Sequence, residues 1–413
     1  MKKLVSAALS IAVAASLGAC GVTDDDAKLK KITPDVDRED VIPDVPEQAD
    51  ASLSGFCAEF HRISAENSDG FSNTLTSPLS AYISLSMVKE GASGDTLAQM
   101  SEVMGDVSGE DMYAIISHLT SLENTTLNIA DSVWIDDKFD PKQDFFDSLA
   151  ARYLAEGFKT ELKYAERNVN LWIEEHTGGL IKNMLDDGAL DDAVMAIVNA
   201  LYMDAKWESE FSSLSTREMD FINADGSMSR ADFMFKGQTL PVIESDEYIG
   251  VALDYSDGSL VFAALMPKDM TGTAASAVKY VTENGGWNDV LATALDEKVK
   301  LFLPKFEHSA SGSLVDTLKQ MGITHAFDKY TANFDGIAEE IYVQSVVQNT
   351  VLKLDEAGTE AAAATAVIAV ATSAAPIEQK EPRTIRFDHP FAFAVIDTDT
   401  GAVLFAGEHN SAK

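Results

Sequence analysis

The chain has 413 residues and carries 67 acidic against 31 basic residues, which gives a formal net charge of −36. A chain this acidic has no broad basic surface, so nucleic acid, heparin-like polyanions and anionic lipid headgroups are poor candidate ligands. The hydrophobic content of 46% is enough for a large core, and the only two cysteines, Cys20 and Cys57, exclude a disulfide framework.

The first twenty residues have the pattern of an export signal. Lys2 and Lys3 precede an apolar run that is too short to span a membrane as a helix. The run Leu17-Gly18-Ala19-Cys20 resembles a bacterial lipobox, which implies removal of residues 1–19 and lipidation of Cys20. A plain secretory signal is the alternative. We therefore expect an extracytoplasmic protein, either a lipoprotein anchored at the outer membrane or cell surface, or a secreted protein.

A segment of acidic and proline-rich character follows the signal. Residues 21–50 contain ten acidic and four basic residues, three prolines and no apolar period. Such a composition cannot bury enough apolar surface to fold alone. We predict that 20–50 consists of the lipidated cysteine and a flexible acidic tether.

From residue 51 the hydrophobic pattern is that of a folded domain. Helical periods cover 51–66, 78–90, 95–104, 141–154 and 167–185. Patterns typical of strands cover 127–135, 194–203, 250–255, 259–266, 298–303, 341–354 and 391–407. Helices dominate early and strands late, so the pattern predicts the α+β class rather than alternating α/β. With no linker inside 51–413, we expect one large domain.

The sequence contains none of the common catalytic or nucleotide-binding motifs. The G-x-G-x-x-G, G-x-x-x-x-G-K-[ST], H-E-x-x-H and G-x-S-x-G patterns are missing from the chain. The seven histidines do not pair at metal-ligand spacing; Glu174-Glu175-His176 is best explained as a solvated helix face. We therefore predict no metal, no cofactor and no catalytic residue.

The most informative segment lies near the C-terminus. Residues 361–377, between Glu360 and Glu378, are seventeen residues without a charge. In an extended conformation, one face of this segment would carry only alanine, threonine and valine, so it could enter a packed core without overfilling it. Gly358 precedes the segment and permits a hinge. We interpret it as a strand that can be added to a sheet.

This segment closely resembles the reactive-loop hinge of inhibitory serpins. The matching hinge residues are Glu356, Gly358, Thr359, Glu360, Ala361, Ala362, Ala363, Ala364 and Thr365. The resemblance extends over nearly all of 51–413. Other matching runs are Ser77-Pro78-Leu79-Ser80, Gly91-Ala92-Ser93-Gly94, Asn170-Leu171-Trp172-Ile173, Val198-Asn199-Ala200-Leu201, Leu303-Pro304-Lys305-Phe306, Phe334-Asp335-Gly336-Ile337 and Phe387-Asp388-His389-Pro390-Phe391.

The resemblance implies a fold and a mechanism. The fold would be a serpin-like single domain with a mixed central sheet, further smaller sheets, several helices and an exposed reactive loop at about 356–386. The protein would be a monomeric suicide substrate of a serine protease, not an enzyme. The protease would attack the loop, and the cleaved loop would insert into the central sheet before the acyl-enzyme is hydrolysed. Cross-inhibition of cysteine proteases is also implied.

The family's usual spacing places the attacked bond between Thr372 and Ser373. The loop is several residues longer than usual, so the bond could instead follow Val370 or Ala371. All these residues are small or modest in size. Elastase-like or subtilisin-like proteases are therefore expected, whereas Lys380 and Arg383 lie too far from the hinge for a trypsin-like target.

The resemblance also identifies a region where the central sheet would open. Its residues would be Ser77, Ser80, Asn199 and Gln348, with Trp207 under the point where the loop enters. The family often has a His-Lys pair where this chain has Gln348-Asn349. Glutamine both donates and accepts hydrogen bonds, so we expect the polar network to persist without pH control at that position.

Two alternative functions compete with protease inhibition. A non-inhibitory serpin-fold protein could act as a binder or chaperone at the cell surface, but the alanine-rich hinge argues against it. A surface enzyme or solute-binding lipoprotein is disfavoured by the missing motifs and by the spread of family matches.

Overall fold

The computed structural model describes residues 29–36, 47–105, 107–179, 182, 184–359 and 382–413. The helices in these residues are α1 (Glu47–Glu66), α2 (Pro78–Lys89), α3 (Gly94–Met104), α4 (Gly109–Thr120), α5 (Gln143–Tyr153), α6 (Glu166–His176), α7 (Ala274–Glu283), α8 (Trp287–Ala292) and α9 (Val315–Gln320). The strands are β1 (Lys30–Ile32), β2 (Thr74–Thr76), β3 (Thr125–Asp136), β4 (Glu156–Thr160), β5 (Met195–Lys206), β6 (Arg217–Ile222), β7 (Met228–Glu244), β8 (Tyr248–Asp254), β9 (Leu260–Pro267), β10 (Leu295–Pro304), β11 (Phe306–Ser313), β12 (Ser345–Leu354), β13 (Gly358–Thr359), β14 (Arg383–Arg386), β15 (Phe391–Asp397) and β16 (Val403–His409).

Two sheets organise the described residues. The seven-stranded sheet has the order β1-β4-β3-β5-β13-β12-β11, and β5 also pairs directly with β12. It is mixed, because β5 and β12 are parallel whereas β3 and β5 are antiparallel. The other strands form one nine-stranded sheet, with order β14-β10-β7-β8-β9-β15-β16-β2 and β6 beside β7. The predicted α+β class with a mixed central sheet is confirmed.

The seven-stranded sheet is buried on both faces at its centre. Along β5, Met195 and Ile197 belong to the main core, whereas Ala196 and Val198 pack under α6 on the opposite face. Both faces are apolar, which is why β5 reads as a continuous hydrophobic run instead of an alternating one. The strand that borders the candidate opening is therefore held by packing from two sides.

Helix α2 lies in the core beside this sheet. It begins at Pro78, with Ser77 as N-cap, and Pro78–Val88 are all buried. Proline at the first helical position loses no hydrogen bond, and the Ser77 hydroxyl accepts from the amide of Ser80. Pro78 and the Ser77 cap therefore fix where the helix starts, and this places Ser77 directly against β12.

Two predicted elements differ from the sequence-based expectation in their extent or division. The helix predicted over 167–185 ends at His176, because Gly178 and Gly179 take φ of 61° and 82° and turn the chain away. The β-rich run 391–407 is two antiparallel strands, β15 and β16, separated by a turn at Gly401 with φ of 71°.

The predicted tether also contains structured residues. Residues 30–32 form strand β1, which pairs antiparallel with β4 at the sheet edge, and Lys31 forms an ion pair with Glu156. Ile32 packs against the core. The prediction that all of 20–50 is a flexible tether is therefore wrong for this part. A three-residue strand is too short to show an alternating pattern in the sequence.

Candidate functional site

The candidate site is the place where the chain returns into the central sheet between β5 and β12. These parallel strands pair directly over six positions, from Ser345 with Ala196 to Thr350 with Leu201. Beyond that pairing, β13 lies between them: Thr359 pairs with Ala205 on β5 and with Leu354 on β12. β13 is antiparallel to both neighbours. It is therefore a short strand inserted between β5 and β12. A strand extended beyond Thr359 in the same direction would run along the positions where β5 and β12 now pair.

Both residues of β13 fit this slot closely. A Cβ atom at Gly358 would overlap the carbonyl oxygen of Ala205, so only glycine is accommodated there. Thr359 is 1% exposed, and its Oγ1 lies 2.7 Å from the hydroxyl of Tyr255. Burial raises the pKa of Tyr255, so the phenol stays protonated. Thr359 is thus a buried polar residue with a buried polar partner.

The three residues before β13 are held by backbone hydrogen bonds. The indole N–H of Trp207 donates to the carbonyl of Asp355 at 2.9 Å, and its backbone N–H donates to Ala357 at 3.0 Å. The amide of Phe211 donates to the carbonyl of Glu356 at 2.8 Å. Trp207 also stacks on Tyr255 with ring centroids 4.6 Å apart. Trp207 is therefore both a core residue and a direct partner of the hinge.

The side chain of Glu356 makes a second attachment. Its carboxylate accepts from Thr216 Oγ1 at 2.6 Å and lies 2.7 Å from Nζ of Lys305 on the chain between β10 and β11. Burial would raise the pKa of Glu356, but the hydrogen bonds from Lys305 and Thr216 outweigh it and hold that pKa below its usual value. Glu356 is therefore charged at neutral pH.

A polar network lies further down the sheet, around Gln348 on β12. The Gln348 side-chain oxygen accepts from the amide of Ser77 at 2.9 Å and from Thr76 Oγ1 at 3.1 Å. Its nitrogen donates to the carbonyl of Ser77 at 2.7 Å, and the hydroxyls of Ser77 and Ser80 are 2.8 Å apart. One amide group thus ties β12 to the start of α2, and it uses both hydrogen-bonding roles of glutamine.

Not all predicted residues of the sheet-opening region meet in this network. Asn199 pairs in register with Gln348 across β5 and β12, but its side chain donates to Asp131 on β3 at 2.9 Å. Trp207 lies at the hinge. The structure therefore brings together Ser77, Ser80 and Gln348, and places Asn199 and Trp207 beside other partners.

Asp131 lies beside the predicted sheet-opening region, but the sequence-based prediction did not include it. It is 3% exposed, its second carboxylate oxygen has no hydrogen-bond partner among the described residues, and burial raises its pKa to about 7. The signal was available, because Asp131 alternates with Ile129 and Val133, both of which face the core. Asp131 is therefore a buried carboxyl beside the β5–β12 pairing, since it lies in register with Asn199 on β5.

The far end of the loop belongs to the other sheet. Strand β14 pairs parallel with β10, and Arg383 donates two hydrogen bonds to Glu244 on β7, at 2.7 and 2.9 Å. Lys268 donates to the same carboxylate at 2.6 Å. The hydrogen bonds from Arg383 and then Lys268 lower the pKa of Glu244 to about 2. Arg383 is thus engaged in a sheet, which argues against its use as a cleavage site.

Several predicted residues lie outside the described part of the chain. They are Cys20, the hinge residues Glu360 to Thr365, the candidate bond residues Val370, Ala371, Thr372 and Ser373, and Lys380. Their assignments stay predictions. Within the described residues, no cluster of three or more His, Cys, Asp or Glu side chains is arranged to hold a metal, and no helix is long and apolar enough to cross a membrane.

Comparison with known proteins places this geometry in a family. A sequence model described as Serpin (serine protease inhibitor) matches residues 51–412. The chain belongs to the serpin family. An uncharacterised serpin-like protein of Thermococcus kodakarensis is 30% identical, over 88% of this chain and 85% of its own length. A serine protease inhibitor of Cyanea capillata is 29% identical, over 81% of this chain and 91% of its own length.

Solved serpin structures share the fold. The thermophilic serpin Tengpin in its native state superposes with a TM-score of 0.81 at 29% identity, covering 92% of this chain and 97% of that one. Human thyroxine-binding globulin in complex with thyroxine gives 0.76 at 22% identity, over 87% and 97% of the two chains. The second likeness shows the fold alone.

Proposed function

We propose that this serpin inhibits extracytoplasmic serine proteases as a suicide substrate, and that its loop inserts between β5 and β12 after cleavage. The observation that carries the proposal is β13, where Gly358 and Thr359 already occupy the slot between these strands. Successive residues that follow Thr359 into the sheet would gain ladder hydrogen bonds to β5 and to β12 in alternation. The β5–β12 pairing over Ser345–Thr350 would have to separate to admit them.

The composition after β13 suits rapid insertion. Thr359 points to the core, where it meets Tyr255. Alternation would direct Ala361, Ala363 and Thr365 to the same side. These side chains are small and uncharged, so they would enter without leaving a buried unpaired charge. Fast insertion matters because the acyl-enzyme must be distorted before water hydrolyses it.

The target class follows from the residues near the predicted bond. Val370, Ala371, Thr372 and Ser373 are all small or modest in size and uncharged. We propose proteases with shallow specificity pockets, of the elastase or subtilisin type, and a covalent acyl complex with the serine. No contact among the described residues favours the non-inhibitory alternative.

The test is a complex that survives denaturation. The purified protein is incubated with subtilisin or pancreatic elastase and analysed by SDS gel electrophoresis. We expect a band near the summed mass of the two proteins, and no such band with protease whose active-site serine is blocked beforehand. Cleaved loop without a complex across both proteases would contradict the proposed inhibition.

Anchoring by lipid is proposed on the N-terminal pattern alone. If Cys20 carries the lipid, the protein sediments with membranes, and Cys20→Ser moves it to the soluble extracytoplasmic fraction. Equal distribution of the two proteins would contradict the lipoprotein assignment and leave a secreted protein.

A further inference from the structure

An acid–amide pair, Asp131 on β3 and Asn199 on β5, lies buried beside the β5–β12 pairing. Asp131 is 3% exposed and Asn199 is 1% exposed, and the two residues are in register across β3 and β5. The side-chain nitrogen of Asn199 donates to Oδ1 of Asp131 at 2.9 Å. The remaining oxygen of each side chain, Oδ2 of Asp131 and Oδ1 of Asn199, has no hydrogen-bond partner among the described residues. With Asp131 ionised, the pair is therefore joined by one hydrogen bond and contains two unpaired acceptors.

One proton would provide the missing donor. Carboxylate and amide oxygens only accept hydrogen bonds, so Oδ2 of Asp131 and Oδ1 of Asn199 cannot bond to each other while the acid is ionised. A protonated carboxyl carries one O–H donor. With the proton on Oδ2, the pair would be joined by two hydrogen bonds, one in each direction. Because buried polar groups in folded proteins are nearly always hydrogen-bonded, the protonated form fits this position better.

No charged group among the described residues compensates an ionised Asp131. The neighbouring side chains on its own face of the sheet are apolar, and they include Ile129 and Val133 on β3 and Leu201 on β5. Burial raises the pKa of Asp131 to about 7, and only the hydrogen bond from Asn199 opposes this shift.

The other elements packed against this face carry titratable groups that are directed elsewhere. These groups are Tyr82 and Lys89 on α2, Glu110, Asp111, Tyr113 and His118 on α4, and Lys159 on β4. Lys89 donates to the carbonyl of Gly105 at 2.9 Å, and His118 lies 3.4 Å from Asp397. None of these groups contributes to the shifted pKa of Asp131.

We propose that Asp131 is protonated while β5 and β12 are paired, that its Oδ2–H donates to Oδ1 of Asn199, and that loss of this proton eases the separation of β5 from β12. Asn199 is in register with Gln348 on β12, so the acid–amide pair borders the pairing that must open. Separation would admit water, which hydrates an ionised carboxylate that the closed core does not. The effect on separation rests on the proposed function, whereas the protonation does not.

The direction of the pH effect follows from proton binding. The paired sheet holds the Asp131 proton up to about pH 7, whereas a hydrated aspartic acid releases it near pH 3.8. Separation therefore releases a proton between these values and becomes more favourable as pH rises, until Asp131 is ionised in both arrangements. From pH 6 to pH 8 the expected gain in the separated population is up to about tenfold.

Asp131→Asn imitates the protonated acid at every pH, because its side chain offers one oxygen acceptor and an N–H donor. Glu408→Gln is the matched control. Glu408 is buried, one of its oxygens has no partner among the described residues, and burial raises its pKa to about 7 as well. It lies on β16 in the nine-stranded sheet, where it pairs with Thr74 on β2. The control therefore removes a group with the same titration range away from the β5–β12 pairing.

The proton is tested by the side-chain ¹³Cγ signals of Asp131 and Asn199 in full-length protein labelled at aspartate and asparagine. The signals are assigned by their loss in Asp131→Asn and in Asn199→Ser. We expect both signals to shift together with a midpoint near pH 7, in the parent and in Glu408→Gln. An Asp131 signal already in its ionised position at pH 5 would overturn the protonation. Titration of Asp131 near pH 7 without a shift of the Asn199 signal would overturn the shared hydrogen bond.

Separation is tested through spontaneous loop insertion, which requires the same opening of the sheet and ends inhibition. Each protein is incubated without protease at pH 6 or pH 8, and residual inhibition of subtilisin is then measured at one common pH. Inhibition should decay up to about tenfold faster at pH 8 in the parent and in Glu408→Gln, whereas Asp131→Asn should decay at the same slow rate at both pH values.

Two results would overturn the control of separation. They are equal decay of the parent at pH 6 and pH 8, and a pH dependence in Asp131→Asn that equals that of the parent. Fresh protein that inhibits neither subtilisin nor elastase would reject the proposed inhibition instead, and the ¹³C titration would still decide the protonation.

Discussion

The two ends of the proposed reactive loop are attached in different ways. At the N-terminal end, Gly358 and Thr359 are buried and β13 is already part of the central sheet. The preceding residues 355–357 are partly buried, and their backbone carbonyls accept hydrogen bonds from Trp207 and Phe211. The C-terminal end, β14, belongs to the other sheet and is fixed by the exposed Arg383–Glu244 pair. Under the proposed mechanism, cleavage between them would free the first end to continue into its own sheet while the second end stays. Without cleavage, full insertion would require β14 to detach.

This difference implies that the N-terminal hinge controls whether the acyl-enzyme is trapped or hydrolysed. The C-terminal end would control insertion of the uncleaved loop. Single substitutions at the two ends and beside the slot test this division.

Thr359→Arg is expected to convert the inhibitor into a substrate. Thr359 is 1% exposed between β5 and β12, and a buried unpaired charge would stop the strand from entering. We expect at least a tenfold rise in inhibitor consumed per protease inhibited, on the order of 1.4 kcal/mol in the partition between trapping and hydrolysis. Thr359→Ser keeps the hydroxyl for Tyr255 and should retain inhibition. Full covalent complex with the arginine variant would refute insertion at this slot.

Asp131→Asn is expected to remove a pH-dependent destabilisation beside the slot. Burial raises the pKa of Asp131 from 3.8 to about 7. The folded state therefore keeps a proton that the unfolded chain releases between about pH 4 and pH 7, so stability falls as pH rises through this window and the penalty is complete above it. Asparagine should raise the free energy of unfolding at pH 8 by on the order of 2 kcal/mol, seen as a higher melting temperature, and change it little at pH 4.

Glu408, whose pKa burial also raises to about 7, titrates in the same window. The measurement is therefore the difference between Asp131→Asn and its parent at both pH values. An equal change at pH 4 and pH 8 would mean that Asp131 does not carry the proton.

Glu356→Gln is expected to loosen the hinge moderately. The variant loses the ion pair with Lys305 but keeps an acceptor for Thr216. A partly exposed pair of this kind contributes about 1 kcal/mol or less. We expect amide exchange at Trp207 and Phe211 to accelerate by up to about fivefold, with amides of β15 as an internal control. Unchanged exchange at both amides would show that the backbone bonds alone hold the hinge.

Arg383→Ala is expected to have the smallest effect and to act at the other end. Arg383 is 37% exposed, so its pairs with Glu244 and Glu297 are screened and contribute less than about 1 kcal/mol. Inhibitory activity should decay a few times faster during incubation without protease, and salt should narrow the difference. Arg230→Ala, which removes a similar exposed pair on β7, should not change the decay. If activity decayed at the same rate in both variants, the attachment of β14 would not control spontaneous insertion.

Much of this arrangement follows from local patterns, and the remainder depends on contacts between distant residues. The buried strands β5 and β12 are visible as hydrophobic runs, and Gly358 and Thr359 carry the family's hinge pattern. The partners of the hinge are not visible in the same way, because Trp207 and Asp355 are 148 residues apart and meet only in the folded chain. Lys305 is a further example, since nothing near it in sequence indicates a carboxylate partner.

Asp131 and β1 were missed for opposite reasons. Asp131 stands out once the alternation of β3 is followed, because it occupies a core-facing position between Ile129 and Val133. Strand β1 has only three residues and an acidic neighbourhood, so no periodicity could predict its pairing with β4. The reactive bond stays a prediction that rests on spacing from the hinge.

The central claim is that the cleaved loop enters between β5 and β12. The loop is cut with a catalytic amount of protease, and the thermal unfolding of cut and intact protein is compared by circular dichroism. Insertion adds a central strand to the seven-stranded sheet, so the account predicts that the cut protein melts tens of degrees higher, as expected for many added hydrogen bonds and buried side chains. An equal or lower melting temperature after complete cleavage would contradict it.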